Sequence, residues 1–281
     1  MHCFKNVAIF GVGLIGGSIG MALRKRGLAK TVVGIGRHQV TLRSARRVGA
    51  VTNTTVEPAK GVAEAELVVV CTPVDQIADH VRLVAQHCPE GTLITDVGST
   101  KQSIVDELDG KLPRGCRFLG GHPLGGREKA GPSHADAELF EGRVALLTPT
   151  VNTRAEDFDL LEQFWSDLGS VVIQMSPEEH DLAIAITSHL PHVVATALAA
   201  TIPENYFRLV GAGLLDTTRI AAGDPAMWKG VFMLNRANVL ASLEQYAANL
   251  NLLVTAIRKG DPAEMERLIT SAKKNRDALG S

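Results

Sequence analysis

The run Gly11-Val12-Gly13-Leu14-Ile15-Gly16 carries the most specific chemistry in this chain of 281 residues. It follows an apolar stretch, Asn6–Phe10, and precedes a helical pattern. In that setting Gly11 permits a tight turn, Gly13 exposes bare backbone and Gly16 allows close helix–strand packing. A pyrophosphate can then rest on the helix N-terminus, where free N–H groups and the dipole favour negative charge. The loop therefore predicts a dinucleotide site, with Leu14 and Ile15 as its variable positions. The second apolar stretch ends Gly34-Ile35-Gly36-Arg37-His38. An acid at this position would grip a ribose 2′-hydroxyl; here Gly36 stands instead and Arg37 follows. Loss of the acid removes repulsion against a 2′-phosphate, and a guanidinium can pair with it. NADP is favoured over NAD on this ground; the alternative is a solvated Arg37 and a site that takes either cofactor. Thr72-Pro73, after Val70-Cys71, falls where a dinucleotide would cross the sheet, with Cys71 read as a core residue.

Three further clusters fall at strand ends or helix starts: Asp96-Val97-Gly98-Ser99-Thr100-Lys101, Gly120 to Lys129 with His122 and Glu128, and Asp216 to Trp228 with Arg219. On residue type alone His122 is either a proton acceptor or a histidine satisfied in a Gly/Pro turn. His189 and His192 flank Pro191 three residues apart, near enough to share a helix face. No carboxylate or third histidine completes a metal set, so no metal is expected. His180-Asp181 reads as a surface pair. The four cysteines form no CxxC pair.

The elements that must position these residues change character along the chain. Up to residue 175, short β-branched runs alternate with helical patterns, which predicts an α/β domain of Rossmann type with a parallel sheet. Expected strands are Asn6–Phe10, Thr31–Ile35, Leu67–Cys71, Thr92–Thr95, Arg117–Gly120, Arg143–Leu147 and Val171–Gln174. Ser176-Pro177-Glu178-Glu179 is a capping-box helix start. From 176 to 281 only helices are expected: Pro177 to about Thr201, kinked or broken at Pro191, then about Tyr206–Ala222, Asp224–Lys259 and one capped by Asp261-Pro262. Leu234, Leu240, Leu243, Leu250, Leu253 and Ile257 have no sheet to cover, which predicts a helical dimerisation domain and a homodimer; the alternative is a monomeric helical cap.

Composition narrows the class. Hydrophobic residues make up 45% and charged residues 21%, with 29 basic against 30 acidic side chains. That balance supports a buried core and offers no basic patch for nucleic acid or a membrane surface. No run reads as long enough to span a bilayer, and the N-terminus lacks a signal-peptide layout, so a cytoplasmic protein is expected.

GGHPLGG at Gly120–Gly126, SHLPH at Ser188–His192 and DTTRIAAGDPAMW at Asp216–Trp228 resemble, in order, the prephenate/arogenate dehydrogenase family of tyrosine biosynthesis. The resemblance covers nearly the whole chain. It implies oxidative decarboxylation of a cyclohexadiene acid with hydride transfer to NADP or NAD. His122 would take the ring hydroxyl proton as a neutral imidazole. Ser99 would hydrogen-bond the same hydroxyl, or cap a helix from Thr100. Arg219 would hold the ring carboxylate. Asp216 and Glu128 would pair near that arginine, and Trp228 would wall the site or pack in the core. His189 and His192 would lie near the substrate's side chain, and Gly98 near the cofactor. The absent acid after the second strand puts NAD preference in doubt. A monofunctional chain without mutase or tyrosine-sensing segments is expected. Two rivals stand beside this reading: a β-hydroxyacid dehydrogenase, for which Lys229 is the candidate lysine, and an NADP-sensing protein without turnover.

Overall fold

The computed structural model describes residues 3–126 and 130–280. Their first part alternates β1 (Phe4–Phe10), α1 (Leu14–Lys25), β2 (Ala29–Ile35), α2 (Gln39–Arg47), β3 (Asn53–Thr55), α3 (Pro58–Val62) and β4 (Leu67–Val70). It continues through α4 (Ile77–Ala85), β5 (Leu93–Asp96), α5 (Gln102–Leu108), β6 (Arg117–Pro123), β7 (Val144–Thr148), α6 (Ala155–Asp167) and β8 (Val171–Gln174). One sheet results, in the order β3-β2-β1-β4-β5-β6-β7-β8. All neighbours are parallel except β6 and β7. This is the Rossmann order, with a crevice at the carboxyl ends of β1 and β4 where the chain switches direction.

The apolar runs explain the layers. Side chains alternate along a strand, so a continuous apolar run feeds both faces of a sheet. Val7, Ile9, Leu67 and Val69 join one core with Ile19 and Leu23 of α1 and Trp165 of α6. Ala8, Phe10, Val68 and Val70 join the other with Ile77 and Val81 of α4 and Ile104 of α5. The three-residue β3 is too polar to announce itself; it exists because β2 supplies backbone partners for Asn53–Thr55.

β6 outruns its expected end at Gly120. Its first three residues pair with β5, and Gly120–Pro123 then pair antiparallel with β7. His122 therefore stands on a strand opposite Leu146, not in a Gly/Pro turn. The glycines and proline argue locally for a loop, but β7 provides the ladder that overrides them.

No strand follows Gln174 among the described residues. α7 (Pro177–Ile184) opens with the expected capping box, Ser176 Oγ accepting from Glu179 N and Glu179 accepting from Ser176 N. A π turn, Ala185–His189, joins it to α8 (Leu190–Ala200). Leu190 N–H reaches back five residues to Ala185 O. The widened turn makes room for the Pro191 ring, so the expected break becomes a bulge in a continuous run. Pro177–Ala200 is thus long and apolar enough to cross a membrane by length and composition, contrary to the expectation from sequence. Its Ala, Leu, Ile and Val residues raise the average, while its buried polar residues His180, Asp181, His189 and His192 all turn into the protein.

The helix expected over Tyr206–Ala222 reduces to α9 (Ala212–Thr218), followed by a 3₁₀ turn at Arg219–Ala222. The long helix expected from Asp224 divides at Asn235 into α10 (Pro225–Leu234) and α11 (Arg236–Lys259), followed by α12 (Pro262–Ala278). The chain forms two compact units, Met1–Asn235 and Arg236–Ser281. In the second, α11 and α12 pack together and leave Leu240, Leu250, Ile257 and Ile269 exposed.

Candidate active site

Gly11 adopts φ 101°, and a Cβ there would lie 2.6 Å from Cys71 O. Only glycine serves where the β1 and β4 ends approach so closely. At Gly16 a Cβ would meet Gly11 O at 2.1 Å, whereas at Gly13 it would enter open space. Gly13 is therefore bare toward a ligand side rather than for packing, as a phosphate cradle requires. Leu14 begins α1 and Ile15 follows it. Beside the loop a pocket of about 140 Å³ is lined by Gly11, Gly36, Arg37, His38, Thr72, Pro73 and His80, among others. His80 Nδ1 lies 2.9 Å from Thr72 Oγ1, and burial, with Arg37 adding, pushes its pKa down. Cys71 is half-buried against the core, and burial raises its thiol pKa, which disfavours the thiolate that a nucleophile needs. These residues fit a dinucleotide.

The end of β5 carries a buried ion pair. Lys101 Nζ donates to Asp96 Oδ2, and neither side chain reaches solvent. Asp96 also accepts from Gly98 N at 2.8 Å and Gly121 N at 3.2 Å. The lysine stem fits because a Cβ on Gly120 would press within 3.1 Å of Lys101 Cδ. Gly98 is equally constrained, 2.8 Å from Asp96 Oδ2 by the same construction. Burial pushes the Lys101 pKa down, against the pull of Asp96.

A chain of hydrogen bonds starts at His122. Its Nδ1 lies 2.9 Å from His180 Nε2, and His180 Nδ1 lies 2.8 Å from Asp181 Oδ1. Asp181 also accepts from Lys101 N at 2.7 Å and Gln102 N at 3.1 Å. The aspartate of α7 thus caps α5, which begins at Gln102. Ser99, half-buried two positions before the observed cap, is not the N-cap considered from sequence. His180 and Asp181 are buried and form no surface pair. Burial drives the His122 pKa well below its ordinary value, with His180, Lys101 and His189 adding to the effect.

The same cluster continues through Asn235. Its Nδ2 donates to Asp181 O at 2.7 Å and lies 3.2 Å from His189 Nδ1. His189, set inward by the π turn, has the Ser99 main chain beside it and a pKa pushed down to about 4 by burial. Among the described residues, its Nε2 and both ring nitrogens of His192 are buried without hydrogen-bond partners. His192 packs edge-on against Trp228, and a Cβ on Gly223 would touch both residues. Trp228 is half-buried and α10 packs on the turn after β4, Val74–Gln76.

Sequence-predicted residues fall into three groups. His122, His189, His192, Ser99 and Trp228 gather around this cluster. Arg219 begins the turn that packs against α8, and it is exposed. Asp216 is exposed on α9, and Lys229 is exposed on α10. Glu128 lies outside the described residues. No group of three potential metal ligands occurs among the described residues. Sequence reasoning gave no role to Asp96 and Lys101, read His180-Asp181 as a surface pair and missed Asn235. One signal was available: the capping box at Ser176 fixes α7 in place and makes His180-Asp181 part of its first turns.

A switched parallel sheet with this glycine loop, facing a buried histidine cluster, defines an NAD(P)-type oxidoreductase. Residues 19–174 match the family described as "Prephenate dehydrogenase, nucleotide-binding domain", and residues 176–271 match "Prephenate dehydrogenase, dimerization domain". The chain is 34% identical to prephenate dehydrogenase of Bacillus subtilis, over 98% of this chain and 76% of that protein. It is 32% identical to cyclohexadienyl dehydrogenase of Zymomonas mobilis, over 99% and 97%. Prephenate dehydrogenase from Aquifex aeolicus, solved with hydroxyphenyl propionate and NAD+, superposes with a TM-score of 0.92 at 33% identity, covering 98% of each chain. The chain belongs to the prephenate/arogenate dehydrogenase family.

Proposed function

We propose that this protein oxidatively decarboxylates prephenate, or its amino counterpart arogenate, with hydride transfer to NADP or NAD, as a cytoplasmic step toward tyrosine. The observation that carries this reading is His122: a buried imidazole held neutral by its surroundings, on the strand that extends past the dinucleotide edge of the sheet. The substrate class bears a ring hydroxyl, a ring carboxylate and a pyruvyl or alanyl side chain. When bound, the nicotinamide supplies the hydride acceptor. His122 takes the hydroxyl proton, and Ser99 hydrogen-bonds that hydroxyl. Arg219 holds the ring carboxylate, whose loss as carbon dioxide leaves an aromatic ring. His189 and His192 offer buried ring nitrogens to the side-chain carboxylate, and Trp228 walls the pocket beside them. Asp216 pairs near the arginine. Residues 1–175 hold the cofactor; residues 176–281 hold substrate and join two copies, with Leu240, Leu250 and Ile257 exposed in one chain.

The deciding experiment is an initial-rate assay of each cyclohexadiene acid with each cofactor, followed by the absorbance of the reduced nicotinamide. Turnover of small hydroxyacids with neither cyclohexadiene acid consumed would overturn the reading. Removing a charge-assisted partner costs the bound state enough that Arg219→Ala is expected to raise the substrate KM about a hundredfold. An unchanged KM contradicts that role. Arg37→Ala is expected to weaken NADP about tenfold while leaving NAD nearly unchanged, because only NADP carries the 2′-phosphate that the guanidinium would meet. Equal losses for both cofactors speak against it.

A further inference from the structure

The structure assigns His180 and Asp181 as positioning residues that hold His122 in the one tautomer able to act as a base. This rests on the reading of His122 as proton acceptor. An ionised carboxylate only accepts hydrogen bonds, so the Asp181–His180 contact requires a proton on His180 Nδ1. A neutral His180 then has a bare Nε2, which can only accept from His122 Nδ1–H across their 2.9 Å contact. His122 Nε2 is left without a proton, as a base requires. The order is fixed at the far end by the α5 backbone: Lys101 N–H and Gln102 N–H also donate to Asp181, so this carboxylate is locked in place and already serves three donors.

The same chain shapes the state reached after proton uptake. Imidazolium His122 keeps Nδ1–H donating to His180, and the positive charge is shared toward Asp181. No proton needs to leave His122 along the chain, because His180 keeps its own Nδ1 proton. Were His180 to become protonated first, it would donate to His122 Nδ1 and place the proton of His122 on Nε2, abolishing the base. Burial lowers the His180 pKa, against Asp181, and thereby guards the working order. The charged and titratable groups facing the pair are Lys101, Asp96, Asp181 and His189.

The test combines nitrogen NMR with kinetics on the full chain. In ¹⁵N-histidine-labelled protein, the His122 ring, identified by its loss in His122→Asn, is expected to show a protonated Nδ1 and a pyridine-like Nε2. His180→Leu removes the acceptor and is expected to mix or reverse that tautomer. Its kcat should fall about a hundredfold or more, with both KM values held within about threefold. In His180→Gln the amide oxygen can accept from His122 Nδ1–H, so tautomer and most of kcat should return, to within about tenfold of the parent. A parent His122 protonated on Nε2, a His180→Leu enzyme with near-parent kcat, or a His180→Gln enzyme as poor as His180→Leu each overturns the assignment. If His180→Leu does not fold, the parent spectrum and His180→Gln decide. A parent protein that turns over neither cyclohexadiene acid removes the functional reading instead, while the spectrum still reports whether the tautomer is held.

Discussion

Replacing His122 with Asn is expected to lower kcat about 10²- to 10⁴-fold, the range that a positioned general base supplies. Asn keeps a short polar side chain at the strand end but has no basic nitrogen, so the proton of the ring hydroxyl has no acceptor as hydride departs. Both KM values should change little, since His122 acts mainly as the hydroxyl ionises. The pH profile of the parent gives a second check. Burial places the His122 pKa well below the ordinary value of 6.5, so its neutral form persists into acid. The rate is therefore present above that lowered value and lost as pH falls through it. Because His122 and His180 are coupled, the acid limb belongs to the pair rather than to one ring. An acid limb at or above the free-histidine value, or a His122→Asn enzyme near parental rate, would falsify the role.

Lys101→Met is expected to destabilise the fold by about 3–5 kcal/mol, the cost of removing one partner from a buried ion pair. Lys101 and Asp96 are both wholly buried, and the lysine is the counter-charge for a carboxylate that otherwise has, among the described residues, only the Gly98 and Gly121 N–H groups. The double variant Lys101→Met with Asp96→Asn should recover a large share of the loss, because no buried charge is then left unpaired. Urea unfolding of the parent, both single variants and the double variant measures the coupling. A single variant within about 1 kcal/mol of the parent, the range of an ordinary substitution, would show that the pair is not structural. The pair also bears on the site, since Lys101 adds to the effects that depress the His122 pKa.

The legible parts of this protein were those in which local pattern and tertiary context agree. The glycine loop is one: Gly11, Gly13 and Gly16 meet backbone, open space and backbone as their spacing implies. The Ser176 capping box is another, because both of its hydrogen bonds join residues three apart. What sequence could not show is pairing across long separations. His180 lies 58 residues from His122 and hydrogen-bonds to it, so its identity as a buried partner depends on how α7 docks beside β6. Asn235 ends α10 with a side chain bonded to the α7 backbone, and no local rule breaks a helix there. The strand status of His122 likewise depends on β7, which comes more than twenty residues later in the chain.

The π turn at Ala185–His189 has a consequence for how this pocket can vary. An α-helix advances by about 100° per residue, so the extra residue in the wide turn rotates α8 against α7 by about that much. His180 and His192 sit on opposite sides of the turn, and both are nonetheless buried. Their convergence is a matter of phase, set by the number of residues in the turn and not by which side chains occupy it. A chain one residue shorter at this point could keep every histidine, yet aim His192 elsewhere. Insertions and deletions here therefore alter the pocket more than most substitutions do.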